Sequence, residues 1–318
     1  MTGSSLVGDI GGTNARFALL TADGLGAMRQ FAVADHATVE DAIAAFLKGE
    51  MPAAPVGAAF LGIAAPVQGD RCKVVNSPWV IDGPALRRRF GLRTVAMVND
   101  FEAVALALPH LRGTDLHPLG GGPPQAGAPM VVMGPGTGFG IAALLPHGEG
   151  AVPVASEGGH TTLAGGDRRE DAIIDRLRKE FGHVSAERAV SGPGLENLYR
   201  AIAAVDGVEV EPRDARAITD AALAGSCATS RAALDLFCAL LGSVAGNFAL
   251  TFRARGGVFV AGGIAPRIAE FLAKSAFRRR FEAKGRFEGY LKPVATNVVV
   301  RPDAAFVGLK ALAERSAP

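Results

Sequence analysis

The sequence is poor in cysteine: three residues, Cys72, Cys227 and Cys238, in a chain of 318. None forms a C-x-x-C pair or stands near a histidine, which argues against a disulfide scaffold and a structural zinc site and fits a reducing compartment. Aromatic residues are scarce, with a single tryptophan, and charge of either sign is not in excess, 33 Lys plus Arg against 31 Asp plus Glu. The basic triplets Arg87-Arg88-Arg89 and Arg278-Arg279-Arg280 lie in helical-looking segments without interleaved aromatics, so they read as solvated helix faces and no nucleic-acid partner is expected. No basic segment precedes a long apolar run at the N-terminus, and Asp9 interrupts the first apolar stretch, so no signal peptide is read. The uncharged run Leu236 to Phe252 is short for a membrane span and carries Ser243, Asn247 and two glycines. It reads as a buried core helix, which leaves a cytoplasmic protein with no membrane contact as the expectation. Two common phosphate grips are also missing: no G-x-x-x-x-G-K-[ST] occurs, and no G-x-G-x-x-G opens a helix after a strand.

Glycine, by contrast, is plentiful, with 41 residues. The stretch Leu6 to Leu20 folds two apolar runs around Gly11-Gly12 and reads as strand, tight turn, strand. Glycines there free the turn to take positive φ and let backbone N–H groups close on an anion. Thr13 and Asn14 add polar side chains, and Asp9 ends the first strand where a carboxylate can hold a hydrated Mg²⁺. An ordinary hairpin would show the same glycine pair, so the phosphate reading draws on Asp9 and Arg16 around it. Met130 to Leu145 repeats the device with Gly134-Pro135-Gly136-Thr137-Gly138-Phe139-Gly140 between two strands. Two such loops, one in each half of a chain that is 49% hydrophobic, predict two related lobes that hold a polyphosphate. The Gly/Pro-rich passage Pro109 to Pro129 is expected to be loop, with a lobe boundary near residue 110.

Between these loops, Thr94 to Val98 reads as a buried strand, followed by Asn99, Asp100 and a helical run from Phe101 to Leu108. Ligands gather beyond the carboxyl ends of parallel strands, which places Asp100 for chemistry; a plain helix cap is the equal alternative for Asn99 or Asp100. Trp79 is either core or the wall of a ligand cleft. Glu157 and His160 flank two glycines, which suits ligand binding rather than acid–base work or a metal. Glu187 could simply pair with Arg188. Gly262-Gly263 makes a strand-to-helix turn that would admit a purine and ribose, or serve close helix packing.

Taken in order, Gly8-Asp9-Ile10-Gly11-Gly12-Thr13-Asn14-Ala15-Arg16, Asn99-Asp100-Phe101, Gly134 to Gly140, Glu157-Gly158-Gly159-His160, Val184-Ser185-Ala186-Glu187-Arg188 with Ser191-Gly192-Pro193-Gly194, and Ala261-Gly262-Gly263-Ile264 resemble the bacterial ATP-dependent glucokinases. That family belongs to the hexokinase, actin and Hsp70-like superfamily, and the resemblance covers nearly the whole chain. It implies an α/β, two-lobed actin-like ATPase (ribonuclease H-like) fold with an active-site cleft between the lobes. The small α/β domain would be residues 1–110 plus 301–318, and the large α+β domain residues 111–300.

The same resemblance implies Asn99, Asp100, Gly138, Glu157, His160 and Glu187 at the sugar, with Asp100 as base on the 6-hydroxyl. Gly8, Asp9, Ile10, Gly11, Gly12, Thr13, Asn14, Gly136, Thr137 and Gly138 would hold ATP phosphates. Gly262 and Gly263 would sit under the adenosine, and Asp9 would hold Mg²⁺ through water. Implied partners are glucose and ATP, in a homodimer, with direct in-line transfer that yields glucose 6-phosphate. Pro135 and the Gly/Pro insert near residue 122 depart from the family pattern. Rival readings are a kinase for another hexose or amino sugar, one that uses polyphosphate, or a sugar-sensing regulator without turnover. The sister repressor-type sugar kinases carry a cysteine-rich zinc segment that is absent here, and this chain starts within a few residues of its first strand, so no DNA-binding head is expected.

Overall fold

The computed structural model describes residues 4–52 and 54–316. Two compact units emerge, one of residues 1–111 with 302–318 and the other of residues 112–301.

In the first unit the strands are β1 (Ser4–Ile10), β2 (Asn14–Thr21), β3 (Gly24–Leu25), β4 (Arg29–Ala32), β5 (Val56–Ile63), the small pair β6 (Arg71–Lys73) and β7 (Val80–Asp82), and β8 (Thr94–Asn99). The main sheet runs β3-β2-β1-β5-β8, with β4 also paired to β2. β2 is antiparallel to β1, while β5 and β8 are parallel to it, and Asp9 stands opposite Gly62, as Ile63 stands opposite Asn99. The three parallel strands therefore finish together. Side chains alternate along β1: Leu6 and Ile10 enter a core with Phe17, Phe46 and Trp79, and Val7 enters the opposite one with Phe60, Phe306 and Leu309.

The helix α1 (Val39–Glu50) covers the first of these cores and starts at Thr38, whose hydroxyl accepts the Asp41 N–H at 3.2 Å. α2 (Gly83–Phe90) is capped in the same way by Asp82. On the other face, α3 (Asp100–Ala107) packs on the C-terminal helix Ala304–Arg315 so closely that a Cβ at Gly308 would collide with the Ala103 carbonyl. Trp79 is fully buried and its indole N–H donates to the His36 carbonyl at 3.0 Å. The tryptophan is core, not a cleft wall.

In the second unit the strands are β9 (Leu116–Gly120), β10 (Met130–Pro135), β11 (Phe139–His147), β12 (Gly150–Ser156), β13 (Gly257–Val260) and β14 (Thr296–Val299), ordered β12-β11-β10-β13-β14-β9. The passage expected to be all loop contains β9. An edge strand tolerates Pro118 and Gly120, and those residues hide it from a composition reading. Around the sheet lie α4 (Arg168–Phe181), α5 (Gly192–Asp206), α6 (Ala215–Leu223) and α7 (Ala228–Thr251). α7 buries Phe237, Leu240, Leu241, Val244 and Phe248. Among the described residues it alone is long and apolar enough to cross a membrane, and most of that length is buried in this unit's core.

Candidate functional site

In the β1–β2 hairpin, the Gly11 N–H donates to the Asn14 carbonyl at 2.9 Å and closes the turn, with Thr13 and Asn14 exposed. Neither Gly11 nor Gly12 takes the left-handed backbone expected of them. The need for glycine is a close approach instead: a Cβ on Gly12 would come within 2.6 Å of the Val75 carbonyl oxygen. Gly8 and Ile10 are both buried in β1, and a Cβ on Gly8 would press Leu61 and Phe17 at 2.9 Å.

Asp9, opposite Arg16 in the ladder, receives two hydrogen bonds from that guanidinium, Nε at 3.2 Å and Nη2 at 2.5 Å. Both end on Oδ2. Among the described residues no group of three or more His, Cys, Asp or Glu could enclose a metal. A single carboxylate with one oxygen open fits Mg²⁺, which keeps its waters and uses nucleotide phosphates as its other ligands.

At the end of β8 the helix cap expected of Asn99 or Asp100 is present. Asn99 is the cap: its Oδ1 accepts the Phe101 N–H at 2.9 Å, and the Glu102 carboxylate accepts the Asn99 N–H at 2.9 Å. Its Nδ2 donates to the Ala65 carbonyl at 3.1 Å, which ties the cap to the loop after β5. Asp100, the first helical residue, shares that donor: its Oδ1 also accepts the Phe101 N–H at 2.9 Å. Burial, and next the negative charge of Asp9, push its carboxyl up to about 7 against the opposing pull of the Phe101 N–H. A carboxylate poised near neutrality can accept a proton that a surface aspartate would leave behind.

In the second unit, β10 and β11 enclose the second glycine loop, where the Gly136 N–H donates to the Gly138 carbonyl at 2.8 Å. The Gly136 carbonyl accepts the Gly192 N–H at 2.8 Å, so the loop abuts the start of α5, which Ser191 caps through the Gly194 N–H at 2.9 Å. Glu187 does not pair with Arg188, whose guanidinium lies 4.3 Å from the Phe181 ring centre. The Glu187 carboxylate accepts the Phe139 N–H at 2.9 Å, and a Cβ on Gly138 would come 2.8 Å from it. His160 stands 4.0 Å from Glu187 through Nδ1 and 4.0 Å from Glu157 through Nε2. Gly158 and Gly159 let the segment lie flat, because a Cβ on either would strike Phe248 or the Phe139 carbonyl. Gly138, Glu157, His160 and Glu187 thus converge.

Gly136, Thr137 and Gly263 line a cleft of about 640 Å³ whose walls come from α5, α6 and the turn after β13. Gly262 has φ +83° and its Cβ position lies 2.6 Å from the Pro135 carbonyl, so it shapes the turn; the Cβ position of Gly263 is open. Glu196, Thr219 and Arg267 also line the cleft and were missed from sequence. Only the position of Glu196, just after the Ser191–Gly194 cap, hinted at it. A larger cavity of about 730 Å³ in the same unit surrounds the buried Glu170–Arg280 pair and contains none of the expected site residues.

The family model for glucokinase matches residues 6–316. A glucokinase from Paramagnetospirillum magneticum is 48% identical over 311 residues, 96% of each chain, and one from Chromobacterium violaceum is 45% identical over 98% of this chain and 90% of its own. Among solved structures, a glucokinase from an Antarctic psychrotroph superposes with a TM-score of 0.91 at 35% identity, covering 99% of this chain and all of the other. These likenesses bear out the actin-like α/β class read from the sequence. With the family model and relatives near half identity running the length of the chain, the protein belongs to the glucokinase family.

Proposed function

We propose that the chain transfers the γ-phosphoryl group of ATP to the 6-hydroxyl of D-glucose by direct in-line displacement, and that Asp100 takes the hydroxyl proton. The carrying observation is the Asp100 carboxyl, lifted to about 7 by burial and by Asp9 at the joint ends of three parallel strands. An alcohol is a poor acid, so the proton moves late, as the new P–O bond forms. Asn99 and Asp100, with Gly138, Glu157, His160 and Glu187, are the sugar-binding set. Glu187 and Glu157 accept sugar hydroxyls, and His160, near both, holds their orientation. Gly11, Gly12, Thr13 and Asn14, together with Gly136, Thr137 and Gly138, form the two phosphate loops: the Gly11 and Gly136 N–H groups close the turns, and the loops' remaining N–H groups serve the phosphates, where glycine lets main chain approach.

Asp9 would hold Mg²⁺ through water, and the cation would neutralise charge on the phosphates. Leu195, Leu223, Ile264 and Ile268 give the 640 Å³ cleft apolar walls beside Gly263, which supports a nucleoside-bearing donor over bare polyphosphate. A regulator without turnover would have no use for a carboxyl poised near neutrality. A soluble homodimer in the cytoplasm is the setting we infer from family likeness. ADP release, measured with glucose, fructose, mannose and glucosamine and with ATP or polyphosphate as donor, tests the reading. Glucose with ATP should give the highest kcat/KM; a clear preference for another acceptor, or for polyphosphate, would replace it.

A further inference from the structure

The Asp9–Arg16 pair is more constrained than a surface ion pair. Arg16 Nε and Nη2 both end on Asp9 Oδ2, at 3.2 and 2.5 Å, while Nη1 donates to the Pro302 carbonyl at 3.0 Å. The guanidinium carbon also lies 5.6 Å from the centre of the Phe306 ring. Every nitrogen of the fork is engaged and its flat face is backed, so it has one orientation available. Both of these bonds hold the carboxylate by Oδ2, while among the described residues Oδ1 makes no hydrogen bond.

We propose that Arg16 is a positioning residue for the phosphate hairpin: it immobilises Asp9 so that Oδ1 alone is offered to the hydrated cation of the nucleotide. This rests on the reading of Asp9 given above. Lysine replaces it only in part, because an ammonium lacks the planar fork that fixes these three bonds in one plane and the flat face over Phe306. The plain alternative is an anchor that fastens the start of the C-terminal helix to β2 and matters for stability alone.

Binding of ADP followed by calorimetry across a Mg²⁺ series, with no turnover involved, separates the two. Arg16→Met keeps the apolar stem over Phe306 and Arg16→Lys keeps the charge. Both should raise the Mg²⁺ concentration for half-maximal ADP binding, about tenfold or more for Arg16→Met and less for Arg16→Lys, in the range seen when groups that orient metal-site residues are removed. Asp9→Asn should show the same loss, and the double variant Asp9→Asn/Arg16→Met should be no worse than Asp9→Asn alone, since Arg16 acts through Asp9. Arg16→Lys keeps the test open if Arg16→Met fails to fold. A lowered unfolding midpoint with unchanged Mg²⁺ dependence, or effects that multiply in the double variant, would overturn the proposal. Asp9→Asn with wild-type Mg²⁺ dependence would overturn it too, and would place the failure in the reading of Asp9 rather than in the clamp.

Discussion

Replacing Asp100 by Asn should make the free protein more stable at alkaline pH, a direct consequence of the environment that suits this carboxyl to be a base. Its ordinary value of 3.8 is raised to about 7 in the folded chain, by burial first and Asp9 second. Between those values the native state binds more protons than the unfolded one, so stability falls as pH rises through the window and stays reduced above it. Roughly three pH units at 1.36 kcal/mol each give a ceiling of about 4 kcal/mol. Residual solvent access, and the favourable charge–dipole contact that Asn forgoes at the helix start, bring this to about 2 kcal/mol. For a chain of 318 residues that is a rise of about 3 °C in unfolding midpoint at pH 8, shrinking to nothing near pH 4. Trp79, fully buried in the same unit and the only tryptophan, reports the transition by fluorescence. An Asp100→Asn midpoint that parallels wild type from pH 4 to 8 would refute the claim that the carboxyl is held near neutrality.

Gly12→Ala puts a methyl 2.6 Å from the Val75 carbonyl, a backbone atom that cannot swing aside; initial-rate kinetics should show KM for ATP raised about tenfold, near 1.4 kcal/mol of lost binding, with glucose affinity unchanged. Gly138→Ala meets the flexible end of Glu187 instead and should displace it from the Phe139 N–H, weakening glucose binding by about 1–2 kcal/mol in calorimetry while the fold persists. Glu170→Ala leaves the Arg280 guanidinium buried without its carboxylate and should cost the second unit about 3–5 kcal/mol, read by hydrogen exchange at α4 and Phe277–Glu282; a loss below 1 kcal/mol would show that water already serves that pair.

Local pattern was enough to read the elements that carry the site. The glycine hairpins, the strand before Asn99 and the buried helix through Leu236 all announce themselves by periodicity and punctuation, because the signal for each lies within a few neighbouring residues. What stayed hidden depends on contacts between distant segments. Gly12 is required by Val75, not by its own φ, and Trp79 is fixed in the core by His36. Glu187 sits beside Arg188 in the chain, yet its partner is the Phe139 N–H on β11. The charge state of Asp100 needs Asp9, brought near by strand pairing that no local window reveals. Gly262 and Gly263 look alike in sequence and differ in structure, one making the turn and the other facing open space.

The central claim, that Asp100 accepts the proton of the attacking hydroxyl, is tested most directly by turnover of Asp100→Asn at pH 8 with saturating ATP and glucose, beside glucose affinity of the same variant by calorimetry. The expected result is glucose binding within a few-fold of wild type and kcat lowered by about 10² to 10⁴, the usual loss when a positioned base is removed. A variant that binds glucose and turns over at the wild-type rate would contradict it.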